Sequence, residues 1–318
     1  MAILRRILAA ALAAWALCAH AQGYPAKPVK IVVAAGAGTV DDVAARVVAE
    51  RAGSLLGQQL YIENRPGAGG SIGQTFVMKS PPDGYTLLLA GGSMAGARYA
   101  NANVTYDVLR DFTPVSLVAT SVFALAANPA LPVRDVKDLI DYAKKNPGKV
   151  TYGTIGAGQM PYWNVMLFNS MAGIETVQVP YKASPEVVTD LIAGRVDYYI
   201  TGLTSFLPVK DKLKILAVTT SARSEIMPEV PTLAEAALPG YDMPTWQSIM
   251  GPAGMNPDHV AILNKAIGQA LAAPEVRDRL QKAGLNAAPS TPEELRRRYA
   301  DWMAIFGKIA RDVGLKPQ

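Results

Sequence analysis

One stretch near the N-terminus, Lys30 to Arg46 (KIVVAAGAGTVDDVAAR), constrains this chain more than any other. Five apolar residues, Ile31 to Ala35, run without a break into Gly36-Ala37-Gly38, and an acidic, alanine-rich segment follows. The pattern predicts a buried strand, a glycine loop and the first turn of a helix. Such a turn leaves backbone N–H groups unpaired and points the positive end of the helix dipole outward, which suits an anion or a polar ligand. Nucleotide-binding α/β folds and two-domain solute-binding folds both begin this way, and the rest of the chain has to separate them.

The first 21 residues read as a secretory signal peptide. Arg5 and Arg6 precede the apolar run Ile7 to Ala19, and Ala19-His20-Ala21 gives a small-x-small cleavage pattern before Gln22. The run is too short and wrongly flanked for a membrane span. Cys18 follows Leu17, which is larger than a lipid-attachment site accepts, so lipidation is not expected. Cleavage after Ala21 removes the one cysteine of the chain, and with it any disulfide, thiol chemistry or cysteine-ligated metal. It also lowers the formal charge from +5 to +3, a mild excess without the clustering that marks a nucleic-acid binder. About 297 residues remain, enough for two domains of ordinary size. No later apolar run reaches membrane-spanning length, and the expected product is exported and soluble.

Along the mature chain, short apolar strands alternate with helical segments. Strands are expected at Gln59 to Ile62 and Tyr85 to Leu89, the latter ending at Gly91-Gly92-Ser93, with a helix from Ser71 to about Lys79. The alternation predicts mainly parallel sheets with helices on both faces. Val115 to Ala127 is a long apolar run that Pro129 and Pro132 keep from being helical, and it reads as one strand crossing between domains. Val150 to Gly153 then enters a second glycine turn, Thr154 to Gly158, before a helix over about Pro161 to Ala172, so the opening device recurs. Tyr241 to Met250 is expected to cross back. Two helices finish the chain, Asp258 to Ala272 and Pro292 to Val313, each behind an N-cap residue and a proline. The expected division is 22–122 with 246–318 in one lobe and 123–245 in the other.

Enzyme chemistries lack their parts. A dinucleotide fingerprint beginning at Gly36-x-Gly38 needs a third glycine where Asp41 stands, and there is no Walker loop. The mature chain has one histidine, His259, at the start of a predicted helix, and Gly91-Gly92-Ser93-Met94-Ala95 lacks the last glycine of a nucleophile elbow. One histidine without cysteine does not make a catalytic zinc site. Asp41-Asp42 offer acid–base or Ca²⁺ chemistry, but adjacent acids at a helix start ordinarily serve as caps. Neither cofactor, metal nor catalysis is expected. Two glycine turns at helix starts, one from each lobe, are suited to clamping a small anion. They are equally the ordinary sequel to parallel strands.

Glu63-Asn64-Arg65-Pro66-Gly67-Ala68-Gly69-Gly70, followed by Pro82-Asp83-Gly84-Tyr85-Thr86-Leu87-Leu88, resembles the Bug, or tripartite tricarboxylate transporter, substrate-binding receptors. Asp111 to Ser116, Val179 to Lys182, Leu216 to Thr219, Pro231 to Glu235 and Leu238 to Tyr241 extend the resemblance over essentially the whole mature chain. The resemblance implies a monomeric periplasmic receptor of α/β class with a two-lobed, type II-like periplasmic binding protein fold, its cleft between lobes joined by crossing strands. Such a receptor captures a small organic acid and delivers it to a membrane permease of one large and one small subunit; a sensor partner, or an exported hydrolase or lyase using Asp41 or Asp42, are the alternatives.

By position, the resemblance places the ligand against the loops Ala34 to Asp42 and Thr154 to Tyr162. The candidates are Ala35, Gly36, Ala37, Gly38, Thr39, Val40, Asp41 and Asp42 on the first, and Gly156, Ala157, Gly158, Gln159, Met160, Pro161 and Tyr162 on the second, with Ser93 and Thr201 at strand ends. Both loops depart from the family pattern. A Pro-Phe-Pro-x-Gly-Gly-Ser/Thr-x-Asp run is reduced to Gly38 and Asp42, with Val40 in place of a hydroxyl donor. A Gly-x-Gly-Thr-Thr-Thr-His pattern has become Gly156-Ala157-Gly158-Gln159-Met160-Pro161-Tyr162, and a frequent Asp-Asn pair is Thr201-Gly202. Fewer donors and more apolar volume disfavour a small tricarboxylate and favour a larger, less charged acid, with aromatic stacking expected near Tyr162 or Trp163.

Overall fold

The computed structural model describes residues 23–156, 158–315 and 317. The leader assigned to 1–21 and the candidate Ala157 lie outside the described residues. Eleven strands follow among those described. β1 (Val29–Val33), β2 (Leu60–Asn64), β3 (Thr86–Gly91) and β4 (Phe112–Ser121) enter a first sheet. β5 (Phe123–Ala127), β6 (Thr151–Thr154), β7 (Val177–Pro180), β8 (Tyr198–Gly202) and β9 (Lys214–Val218) build a second. β10 (Thr245–Pro252) and β11 (Leu285–Ala287) return to the first. The orders are β11-β4-β10-β3-β1-β2 and β7-β6-β8-β5-β9.

The apolar run expected to be one crossing strand is therefore two. β4 and β5 meet at Val122, and each is buried because it lies inside a different sheet. The sheets are also mixed where the alternation predicted mainly parallel ones. β10 is antiparallel to β3 and β4, and β5 is antiparallel to β8 and β9. The reason is direction of travel. β4 runs toward the junction alongside β1 and β3, so its continuation, β5, starts at the junction and runs away from it. The parallel strands of both sheets consequently end facing the junction, and the loops after β1 and β6 open toward each other.

Helices form where the caps place them. α1 (Val40–Leu56) starts at Thr39, whose hydroxyl accepts from the Asp42 N–H, and stops at Gly57 with φ 67°. α2 (Ser71–Met78), α3 (Val136–Lys145), α4 (Met160–Ala172) and α5 (Ser184–Ile192) follow in the strand intervals. α6 (Pro257–Ala272) begins at Asn256, and α8 (Pro292–Asp312) begins with a reciprocal Thr291–Glu294 capping box. Between them lie α7 (Pro274–Lys282) and the three-residue edge strand β11, which the sequence reading omitted.

A continuous core joins the two halves. Trp163 on α4 lies 4.6 Å, centroid to centroid, from Phe306 on α8, and the contact continues through Trp302, Trp246 and Tyr299. Gly96 makes this approach possible, because a Cβ there would lie 2.7 Å from the Trp163 ring and 2.8 Å from Phe306.

Candidate functional site

The first loop is shaped by Asp42. Its buried carboxylate accepts from the Gly38 N–H at 2.9 Å, Arg46 Nε at 3.0 Å and Asn64 Nδ2 at 2.9 Å. Burial alone would raise this carboxyl, but the donors outweigh it and pull it down to about 2. Asn64 also donates to the Ala35 carbonyl at 3.1 Å, and Thr39 Oγ1 to the Gly36 carbonyl at 2.8 Å. Asp42 is thus turned into the loop, with its lone pairs occupied, while Ala37, Gly38, Thr39 and Val40 form an exposed rim.

The Glu63 to Gly70 string is the floor of this loop. Glu63 pairs with Lys30 at 2.6 Å and with Arg65, whose guanidinium lies 3.6 Å from the Phe76 ring centroid. Gly67 to Gly70 all have positive φ, and a Cβ on Gly70 would sit 3.3 Å from the Ala34 carbonyl oxygen. Glycine is required there by close backbone approach.

The second loop differs electrostatically. Gln159 is the N-cap position of α4 but makes no capping bond; its Nε2 instead donates to the Gly69 carbonyl of the other half at 2.9 Å. The first turn of α4 carries no acid, whereas that of α1 carries Asp41 and Asp42. An uncapped, acid-free helix start is the more favourable anion position of the two. Gly156 and Gly158 take φ of 130° and 84°, and the Gly158 carbonyl accepts from Trp163 Nε1 at 3.1 Å. Thr154 Oγ1, at the strand end leading into this loop, is buried without a partner.

Met160, Pro161 and Tyr162 are buried on α4. Trp163 is fully buried against Phe306, and Tyr162 packs edge-on to it at 5.7 Å. The expectation of aromatic stacking here is corrected: these ring faces are spent on the core. Thr201 is buried on β8, its hydroxyl 3.3 Å from Ser184 Oγ. Gln159→Ala should remove one neutral bond between the halves, worth about 1 kcal/mol. Calorimetry should then show ligand affinity falling about fivefold; unchanged affinity would mean that this contact plays no part in binding.

The wall between the loops comes from β3 and β10, two strands expected from the sequence, but through Gly91 and Gln247, which were not among the candidate residues. Gly91 and Gln247 are direct partners on β3 and β10, so they share one face. The point where a Gly91 Cβ would lie is 3.8 Å from Ser93 Oγ and 4.0 Å from Asp41 Oδ2. Burial pushes the Asp41 carboxyl up, against a smaller downward pull from the Gln247 amide. Gln247 Oε1 and Trp246 Nε1 are buried and unpartnered. A glutamine in the expected crossing strand, between Trp246 and Ser248, was the available signal.

A sequence profile described as the tripartite tricarboxylate transporter family receptor matches residues 44–315. Protein BugT of Bordetella pertussis is 34% identical over 300 residues, covering 93% of this chain and 92% of its own. Among solved structures, R. palustris Rpa4515 with adipate has a TM-score of 0.83 and 32% identity, over 93% of this chain and all of its own. MatC (Rpa3494) from Rhodopseudomonas palustris with bound malate has a TM-score of 0.80 and 28% identity, over 90% of this chain and all of its own. The two sheets and their helices are those of a periplasmic binding protein, and the chain, which is similar to BugT, belongs to the tripartite tricarboxylate transporter receptor family.

Proposed function

We propose that this chain is a periplasmic receptor that captures a small organic acid between two lobes, residues 22–122 with 246–318 and residues 123–245, and closes on it. The observation that carries the reading is the start of α4, acid-free and uncapped because Gln159 reaches across to Gly69. Related structures holding adipate and malate support a carboxylate as the group received there. The ligand shifts an open–closed equilibrium, and the closed form is what the membrane partner recognises. That partner is a permease of one large and one small subunit, served by a monomeric receptor whose leader is cleaved after Ala21. Binding proceeds without chemistry: Asp42 is tied to three donors, and Asp41 faces an amide, not a second acid–base group.

A thermal-shift screen of the mature protein against mono-, di- and tricarboxylic acids tests this. A ligand at about 100 times its Kd adds roughly 2.7 kcal/mol of stability. Melting temperatures that respond to neutral compounds and to none of the acids would refute the carboxylate reading.

A further inference from the structure

Resting on that receptor reading, we propose that Asp41 and Gln247 form a subsite for a protonated amine, so that the captured acid is zwitterionic. Its carboxylate faces the start of α4 and its ammonium faces Asp41. The two ends of the cleft differ in what they lack. At the second loop, donors await an acceptor. At the wall formed by β3 and β10, acceptors await a donor.

Gln247 is 4% exposed, and its Oε1 has no hydrogen-bond partner. It rises from β10 directly opposite Gly91, whose missing side chain leaves room for Asp41 and Ser93 to approach the same point, at 4.0 Å and 3.8 Å. Among the described residues, no lysine or arginine forms an ion pair with Asp41. Arg46, the basic group nearest in sequence, is engaged with Asp42 at 3.0 Å and Asn64 at 3.1 Å. Burial pushes the Asp41 carboxyl up, as expected of an acid taken out of water, with the Gln247 amide pulling the other way.

A ligand carboxylate placed here would meet a like charge in a partly dry site and leave Gln247 Oε1 unsatisfied. A hydroxyl offers one donor. An ammonium offers three, matching a carboxylate, an amide oxygen and the Ser93 hydroxyl. This end of the cleft therefore favours ω-amino acids over the symmetrical diacids of the same length.

The test is calorimetry on the mature full chain with matched linear acids: 4-aminobutyrate, 4-hydroxybutyrate and succinate, and their six-carbon counterparts 6-aminohexanoate, 6-hydroxyhexanoate and adipate. The amino acid of at least one length should bind about tenfold or more tightly than its diacid, the scale of one charged hydrogen bond. Asp41→Asn should erase that preference while leaving the melting transition cooperative, and Gln247→Met should reduce it in the same direction. A diacid bound as tightly as the amino acid, a hydroxy acid equal to it, or a preference untouched by Asp41→Asn would each overturn the ammonium subsite and leave the carboxylate receptor standing. If no acid in the panel binds the wild-type protein, the subsite for linear ω-amino acids falls, while the carboxylate reading is decided separately by the thermal-shift screen.

Discussion

Trp163→Ala should be among the most damaging single substitutions in this protein. The side chain is fully buried, packs against Phe306 from the other half with the rings tilted, and ties down the second loop through the Gly158 carbonyl. Truncating a buried tryptophan costs about 3–5 kcal/mol, which for a chain of this size lowers the melting temperature by roughly 10 °C. Two roles are combined in that number, and Trp163→Phe separates them. Phenylalanine keeps most of the packing against Phe306 but loses the Nε1 donor, so stability should fall by about 1–2 kcal/mol. Ligand affinity should fall in both variants, because the Gly158 turn is released in both. Wild-type affinity in Trp163→Phe would mean that the turn is held by its glycine geometry alone.

Asp42→Ala is expected to have the second largest effect. It strands the Gly38 N–H, Asn64 Nδ2 and Arg46 together, and a buried acceptor of this kind is worth about 2–3 kcal/mol. Denaturant melts should register that loss, along with weakened binding as the first loop relaxes. The pH dependence follows from the sign of the shift. The folded carboxyl titrates at about 2, below its ordinary range, so its contribution is complete above about pH 4 and is lost as pH falls from there toward 2. The titratable part amounts to about 2 kcal/mol, and Asp42→Asn should show a correspondingly shallower acid-induced loss of stability. An unchanged acid profile would contradict the assignment.

Much of this architecture was legible in local sequence. The strand, glycine turn and helix pattern recurs at Ile31 and Val150 because a parallel strand must hand its chain to a helix at each sheet's end. Thr291-Pro292 and Asn256-Pro257 marked helix starts through caps that act within four residues. What escaped depended on partners far along the chain. Nothing local divides Val115 to Ala127 at Val122; the break exists because two sheets claim its ends. Tyr162 and Trp163 look available beside a binding loop until Phe306, more than a hundred residues later, covers Trp163. Asp42 and Asp41 are indistinguishable as neighbours in sequence. Asn64 and Arg46 occupy the first, and Gln247 stands beside the second.

The place of β10 has a consequence for assembly. All eight of its residues are buried, and it separates β3 from β4, although residues 122–244 intervene before it is synthesised. The second sheet draws every strand from residues 123–218 and can close on itself early. The first sheet cannot, since its central slot stays empty until the chain has come back. Until β10 is available, β3 and β4 each therefore keep one unpaired edge, and β10 pairs with both. The strand that returns the chain from one half to the other is also the one that completes the middle of the first sheet.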